Sequence, residues 1–189
     1  MQIHFHNIRF VFRTGLSLLS VAGNNSITLL KTISASFSCF SISLLDRDTF
    51  LVSTVDHQRP VRTIDVHGNE GDLQHKLLPE QSYKVDKSAC TYIPSTKTLV
   101  FLDTEQQSLY MCEIMTGEGR VIKNDILQDA IAVCAGPNGS TFVCCVRSHL
   151  IMELSLLGDV LTSHQAGMLF PRTVSVSKDG TRFEHTDRM

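Results

Sequence analysis

The chain repeats itself. Four stretches share one order: an apolar strand-like run, a short polar turn, and a second run rich in β-formers. They are Ile42–Ser53 around Asp46-Arg47-Asp48, Cys90–Phe101 around Pro94–Lys97, Ile131–Cys144 around Gly136–Ser140, and Val174–Phe183 around Ser177–Gly180. An apolar residue anchors the second run of each, at Phe50, Leu99, Phe142 and Phe183, with separations of 49, 43 and 41 residues. Gly68, Gly117 and Gly158 follow the first three anchors by 16 to 18 residues, and Gly23 precedes Gly68 by 45. A period of this length with several short strands per unit is the signature of radially stacked blades.

Helical solenoids share the period, so the residue types arbitrate. Asn138-Gly139 and Asp179-Gly180 are hairpin dipeptides, because glycine accepts a positive φ at little cost. Val, Ile, Phe and Thr dominate the flanking runs. Long 3.6-residue apolar periodicity is missing. Asp125–Ala135 is helix-like, and reads as a connection between units leading into the next inner strand. A four-stranded blade buries its faces only by stacking on neighbours. The expected fold is therefore all-β: a partial or small β-propeller of four-stranded antiparallel blades. Its units fall near 39–87, 88–129 and 130–172, with a partial unit at 173–189 and a partial blade or divergent segment at 1–38. In the third unit the strands are expected at Ala130–Cys134, Thr141–Val146, Leu150–Ser155 and Asp159–Ser163.

The stretch Ala130–Cys144 with Ile151–Gly158 resembles an NHL repeat, and Phe170–Gly180 resembles the start of the next. The wider run 39–183 is similar to the C-terminal propeller of invertebrate tripartite-motif (TRIM-NHL) proteins. That family often carries an Asp four residues after the strand aromatic. Asp103 and Asp187 hold that place, whereas Thr54 and Val146 depart from it. RING, B-box and long coiled-coil patterns are absent from this sequence, so the resemblance implies only a partner-reading propeller of the cytoplasm and carries over no ligase activity.

Charge bears on partners. With 17 basic and 19 acidic residues the net charge is −2, which gives no reason to expect a polyanion. Arg9, Arg13 and Lys31 precede the first acidic residue, Asp46, leaving 14 basic against 19 acidic residues after it. The acid-free segment 1–25 suits a mitochondrial presequence, and Gly15–Gly23 suits the core of a secretion signal. Phe5, Ile8, Phe10 and Phe12 favour the strand reading instead. No apolar run is long enough for a membrane-spanning helix. The six cysteines form no C-x-x-C pair, and Cys134, Cys144 and Cys145 read as small buried thiols, reduced as in the cytosol.

No constellation compels catalysis. His4-x-His6 is a two-ligand spacing without a third ligand. Asp46, Asp48, Asp103 and Asp179 all fall in turns, where capping is the ordinary duty of Asp. No nucleophile elbow or phosphate loop occurs. The expectation is a non-enzymatic scaffold without cofactor or metal. It binds a protein through loops after the second strand of each unit: His57 and Arg59, Glu105 and Gln106, Arg147 and His149. Two alternatives remain open: an RNA-binding NHL propeller using Arg59 to Lys97, and a metal-dependent lactonase-like hydrolase using inner carboxylates. Self-association through exposed blade edges is a further expectation.

Overall fold

The computed structural model of the chain describes residues 8–12, 14–21, 26–73, 77–167, 171–177 and 183–186. Three four-stranded antiparallel meanders form its centre. The first joins β4 (Ser38–Leu44), β5 (Thr49–Val55), β6 (Val61–Asp65) and β7 (Glu70–Asp72). The second joins β8 (Ser88–Ile93), β9 (Thr98–Asp103), β10 (Ser108–Glu113) and β11 (Gly119–Lys123). The third joins β12 (Ala130–Ala135), β13 (Thr141–Cys145), β14 (Leu150–Leu154) and β15 (Val160–Gln165). Before them stands a three-stranded sheet of β1 (Ile8–Phe12), β2 (Gly15–Val21) and β3 (Ile27–Ser34). After them stands a hairpin of β16 (Thr173–Val176) and β17 (Phe183–Thr186). Among the described residues these two outer sheets are not joined in one blade.

Side chains alternate between the two faces of a strand, so each blade feeds two cores. Phe50, Val52 and Ile64 pack back against Leu16, Leu18 and Ile33, while Leu51 and Val61 pack forward against Leu99, Phe101 and Tyr110. Val100, Leu102 and Met111 then meet Val133, Val143 and Met152, and Phe142, Cys144 and Ile151 meet Val174. Four cores thus weld five sheets into one stack. The anchors Phe50, Leu99 and Phe142 are 0%, 0% and 2% exposed.

Phe142 nevertheless faces the opposite neighbour from Leu99. Leu99 packs on the preceding blade and Phe142 on the following sheet. The turn before β13 spans Gly136–Ser140, one residue longer than Pro94–Lys97 before β9. The reversal precedes the turn: Ile93 at the end of β8 and Ala135 at the end of β12 both face the core between these blades, forward from one and back from the other, and cross-strand partners share a face. The sequence spacing aligned these residues; the pleat separates them.

The hairpins between third and fourth strands are built alike. Gly68, Gly117 and Gly158 stand at φ of 90°, 75° and 90°, a region that favours glycine. A side chain just upstream ties each turn: Asp65 accepts from the His67 and Asn69 amides, Glu113 from Met115 and Thr116, Ser155 from Leu157 and Asp159. The helix-like stretch Asp125–Ala135 proves to be one 3-10 turn, Asp125–Leu127, capped by Asn124, followed by β12. Asn138 and Gly139 both have positive φ in the turn before β13. In the N-terminal stretch weighed as an address, 8–12 and 15–21 form strands. No helix among the described residues is long and apolar enough to cross a membrane.

Candidate functional site

Antiparallel meanders put the loops after each second strand and the connectors between blades at the same end of the stack. The hydrogen bonds show this directly. The Asp56 amide donates to the Tyr83 carbonyl at 2.7 Å, Thr104 to Lys87 at 3.1 Å, Val146 to Asp129 at 2.9 Å, and Ala166 to the His149 carbonyl at 2.8 Å. Each loop is fastened to the connector beside it, which makes one polar rim with three stations. The loops 104–107 and 146–149 are four-residue turns that both end on a left-handed residue, Gln107 at φ 52° and His149 at φ 55°. The first loop differs: it is longer, carries Pro60, and places its left-handed residue first, at Asp56.

At the first station His57 Nδ1 accepts from the Arg59 amide at 3.1 Å, and Arg59 Nη1 lies 2.9 Å from Asp72 Oδ2. Arg62 bridges Asp72 at 2.8 Å and Glu70 at 3.1 Å, and its guanidinium lies 4.5 Å over the Phe37 ring. Ser36 binds the Glu70 carboxylate through both its amide and its hydroxyl. Partial burial alone would raise the Glu70 carboxyl, but the Ser36 hydrogen bonds and the Arg62 charge outweigh it and hold the group below its ordinary value. A depression of about 430 Å³ opens among His57, Gln58, Arg59, Arg62, Asp72 and Ser82.

The second station is organised by a buried carboxylate. Asp103 is fully buried, and accepts from Tyr83 Oη at 2.6 Å, Gln81 Nε2 at 3.3 Å and the Gln106 amide at 2.8 Å. Burial, then the Asp103 hydrogen bond and charge, push the Tyr83 phenol far above its usual range. Gln106 Nε2 reaches Gln81 Oε1 at 3.2 Å, and Glu105 is exposed. At the third station Arg147, 83% exposed, lies 3.4 Å from Asp129, and His149 is half-buried.

The six residues singled out from sequence therefore sit at equivalent loops but not in one cluster: His57, Arg59, Gln106, Arg147 and His149 bond within their own loops or to the neighbouring connector or outer strand, and Glu105 is exposed. The Ser36–Glu70–Arg62–Asp72 network was missed. Its signal was available, since a hairpin centred on His67 pairs Arg62 with Asp72. Asp46 caps its own turn, accepting from Asp48 and Thr49 amides at 3.0 Å each. Asp103 closes a loop as a buried acceptor. Among the described residues no group of three or more His, Cys, Asp or Glu is placed to share a metal. His4, His6, Asp179 and Asp187 lie outside the described residues.

No family model matches the chain, and no curated protein matches it. Solved structures do. The Kuenenia stuttgartiensis hydrazine synthase matches at 18% identity and TM-score 0.56, over 77% of this chain and 40% of that one. Virginiamycin B lyase from Staphylococcus aureus matches at 10% identity and TM-score 0.60, over 93% and 64%. The nidogen–laminin complex matches at 12% identity and TM-score 0.71, over 94% and 68%. The chain thus spans less than two thirds of the first two of these neighbours. At such identities the likeness speaks for fold alone. With stacked four-stranded antiparallel blades already in view, it shows that this chain is built as a β-propeller.

Proposed function

We propose that the chain is a non-catalytic scaffold that holds a protein partner on this rim, in the manner of the partner-reading NHL propellers of tripartite-motif proteins. The observation that carries the reading is the rim itself: three repeated loops, each braced by a connector, that expose Glu105, Gln106 and Arg147 beside the partly exposed His57, Arg59 and His149. Loops held on a rigid scaffold are where binding residues concentrate.

Two features favour a protein over the alternatives. Three arginines at the rim are matched by carboxylates: Arg59 by Asp72, Arg147 by Asp129, and Arg172 lies 3.5 Å from Asp86. Polyanion binding relies on unmatched cations. The inner carboxylate an enzyme of the lactonase kind would use, Asp103, already accepts three hydrogen bonds in a buried loop closure.

The test is the triple variant Arg59→Ala, Gln106→Ala and Arg147→Ala. Its melting temperature should change little, because exposed ion pairs contribute about 0–1 kcal/mol each. Partner affinity should fall by tenfold or more, about 1.4 kcal/mol. An undiminished set of partners captured by the triple variant removes this rim as the binding surface.

A further inference from the structure

The outer strands of the blades are open backbone edges, and proteins ordinarily blunt such edges with charge or brevity. β7 is three residues, Glu-Gly-Asp, and β11 carries Arg120 and Lys123. β3 is different. It runs eight residues, Ile27-Thr-Leu-Leu-Lys-Thr-Ile-Ser34, with one charge. That charge, Lys31, is exposed on the strand but tied down, its Nζ donating to the Val66 carbonyl at 2.7 Å. Ile27, Leu29 and Leu30 are 64%, 57% and 52% exposed. Among the described residues the one strand hydrogen-bonded to β3 is β2. Leu29 and Ile27 pair with Leu19 and Val21, while Leu16 and Ile33 pair on the buried face toward β5. The apolar side chains of β3 therefore continue a hydrophobic face out to a bare edge.

We infer that β3 is a self-association edge: two copies of the chain pair their β3 strands antiparallel and join their N-terminal sheets into one continuous sheet about a two-fold axis. A strand meeting its own copy antiparallel is self-complementary, as an isologous contact requires. Charge selects the occupant. A strand rich in carboxylates or free lysines would bring several charges against leucine and isoleucine, whereas a second β3 brings one, Lys31, already held by a carbonyl of its own chain. A register centred on the strand sets Lys31 opposite the second copy's Leu30, so the two lysines do not oppose each other. The other nearly neutral outer strand is β15, Val-Leu-Thr-Ser-His-Gln. Pairing β3 with β15 would be heterologous and would grow into open chains rather than stop at two. None of the six rim residues lies on β3, so this edge stands or falls independently of the rim reading.

Sedimentation of the whole chain from about 1 to 100 µM tests it, because association is concentration-dependent. The mass should approach twice 21.0 kDa. The double variant Ile27→Lys, Leu29→Lys should stay at 21.0 kDa with an unchanged melting temperature, its dimer weakened at least tenfold. Leu157→Lys, at a turn residue 63% exposed elsewhere, should dimerise as the parent does. Hydrogen exchange on the unmodified protein gives a second reading: β3 amides should slow as concentration rises. A monomer across the whole range, a dimer that survives the two lysines, mass growing past the dimer, or β3 exchange indifferent to concentration each overturns the inference.

Discussion

Burial of the Cys39, Cys112 and Cys145 thiols pushes them up to about 12, from an ordinary 9.0; for Cys39 the Glu70 charge adds to desolvation. Cys90 and Cys144 rise to about 11. Two outcomes follow. Native protein at pH 8 should alkylate slowly with iodoacetamide, and labelling should quicken on unfolding; rapid native labelling would contradict the buried placement. Stability should also fall in alkali. These groups have folded values above their unfolded ones, so their contribution is complete below pH 9 and is lost as pH climbs from 9 toward 12. A melting temperature flat between pH 8 and 11 would count against it. Glycine positions differ in the same concrete way. A Cβ on Gly117 meets nothing within 4 Å, whereas one on Gly158 falls 2.5 Å from Ile122 Cδ1. Gly117→Ala should cost only the left-handed penalty, about 1–2 kcal/mol. Gly158→Ala should cost more, read as the larger drop in urea midpoint.

The inner strands pose a problem of elements rather than residues: β8 and β12 show backbone amides to the neighbouring blade. Hydroxyls from that neighbour satisfy them. The Cys90 amide donates to Ser41 Oγ at 2.8 Å, Tyr92 to Ser43 Oγ at 2.9 Å, and Ala135 to Thr91 Oγ1 at 3.2 Å. Ser41→Ala would orphan a buried donor, and should cost about 1–3 kcal/mol, more than the mean value of a hydrogen bond. Chemical denaturation of that variant measures it; a loss under about 0.5 kcal/mol would mean water or a shifted strand replaces the hydroxyl. The blades themselves were legible in the sequence, because strand chemistry and hairpin dipeptides are local. The bracing between them was not: alternate Ser41 and Ser43 read as ordinary strand polar positions until the next blade is set beside them.

For the whole molecule, stacking makes stability depend on nearest-neighbour contacts. The N-terminal sheet meets the first full blade through one core and through the Ser36–Glu70–Arg62 latch. Glu70 is held below its ordinary 4.5. A depressed carboxyl contributes stability above its unfolded value and loses it as pH falls through the folded one. Below pH 4.5 the latch should therefore release first. Hydrogen exchange should show β2 and β3 losing protection on acidification before β9 and β13, which lie between two cores. Uniform loss across all strands would show that the latch does not govern the order.

The sequence by itself determined the class of element, the period, the turn glycines and the burial of Phe50, Leu99 and Phe142. Each of these follows from side-chain chemistry acting within one hairpin. Only the tertiary structure decided which face Phe142 takes, that Asp103 closes a loop with Tyr83, and that Arg62 is shared by Glu70 and Asp72 over Phe37. The face a strand residue takes follows from the neighbour its inner-strand partner packs on, and Tyr83 meets Asp103 across 20 residues of chain. Such contacts exist only once the sheets are stacked, since it is stacking that removes water and makes each buried polar group depend on a partner far along the chain.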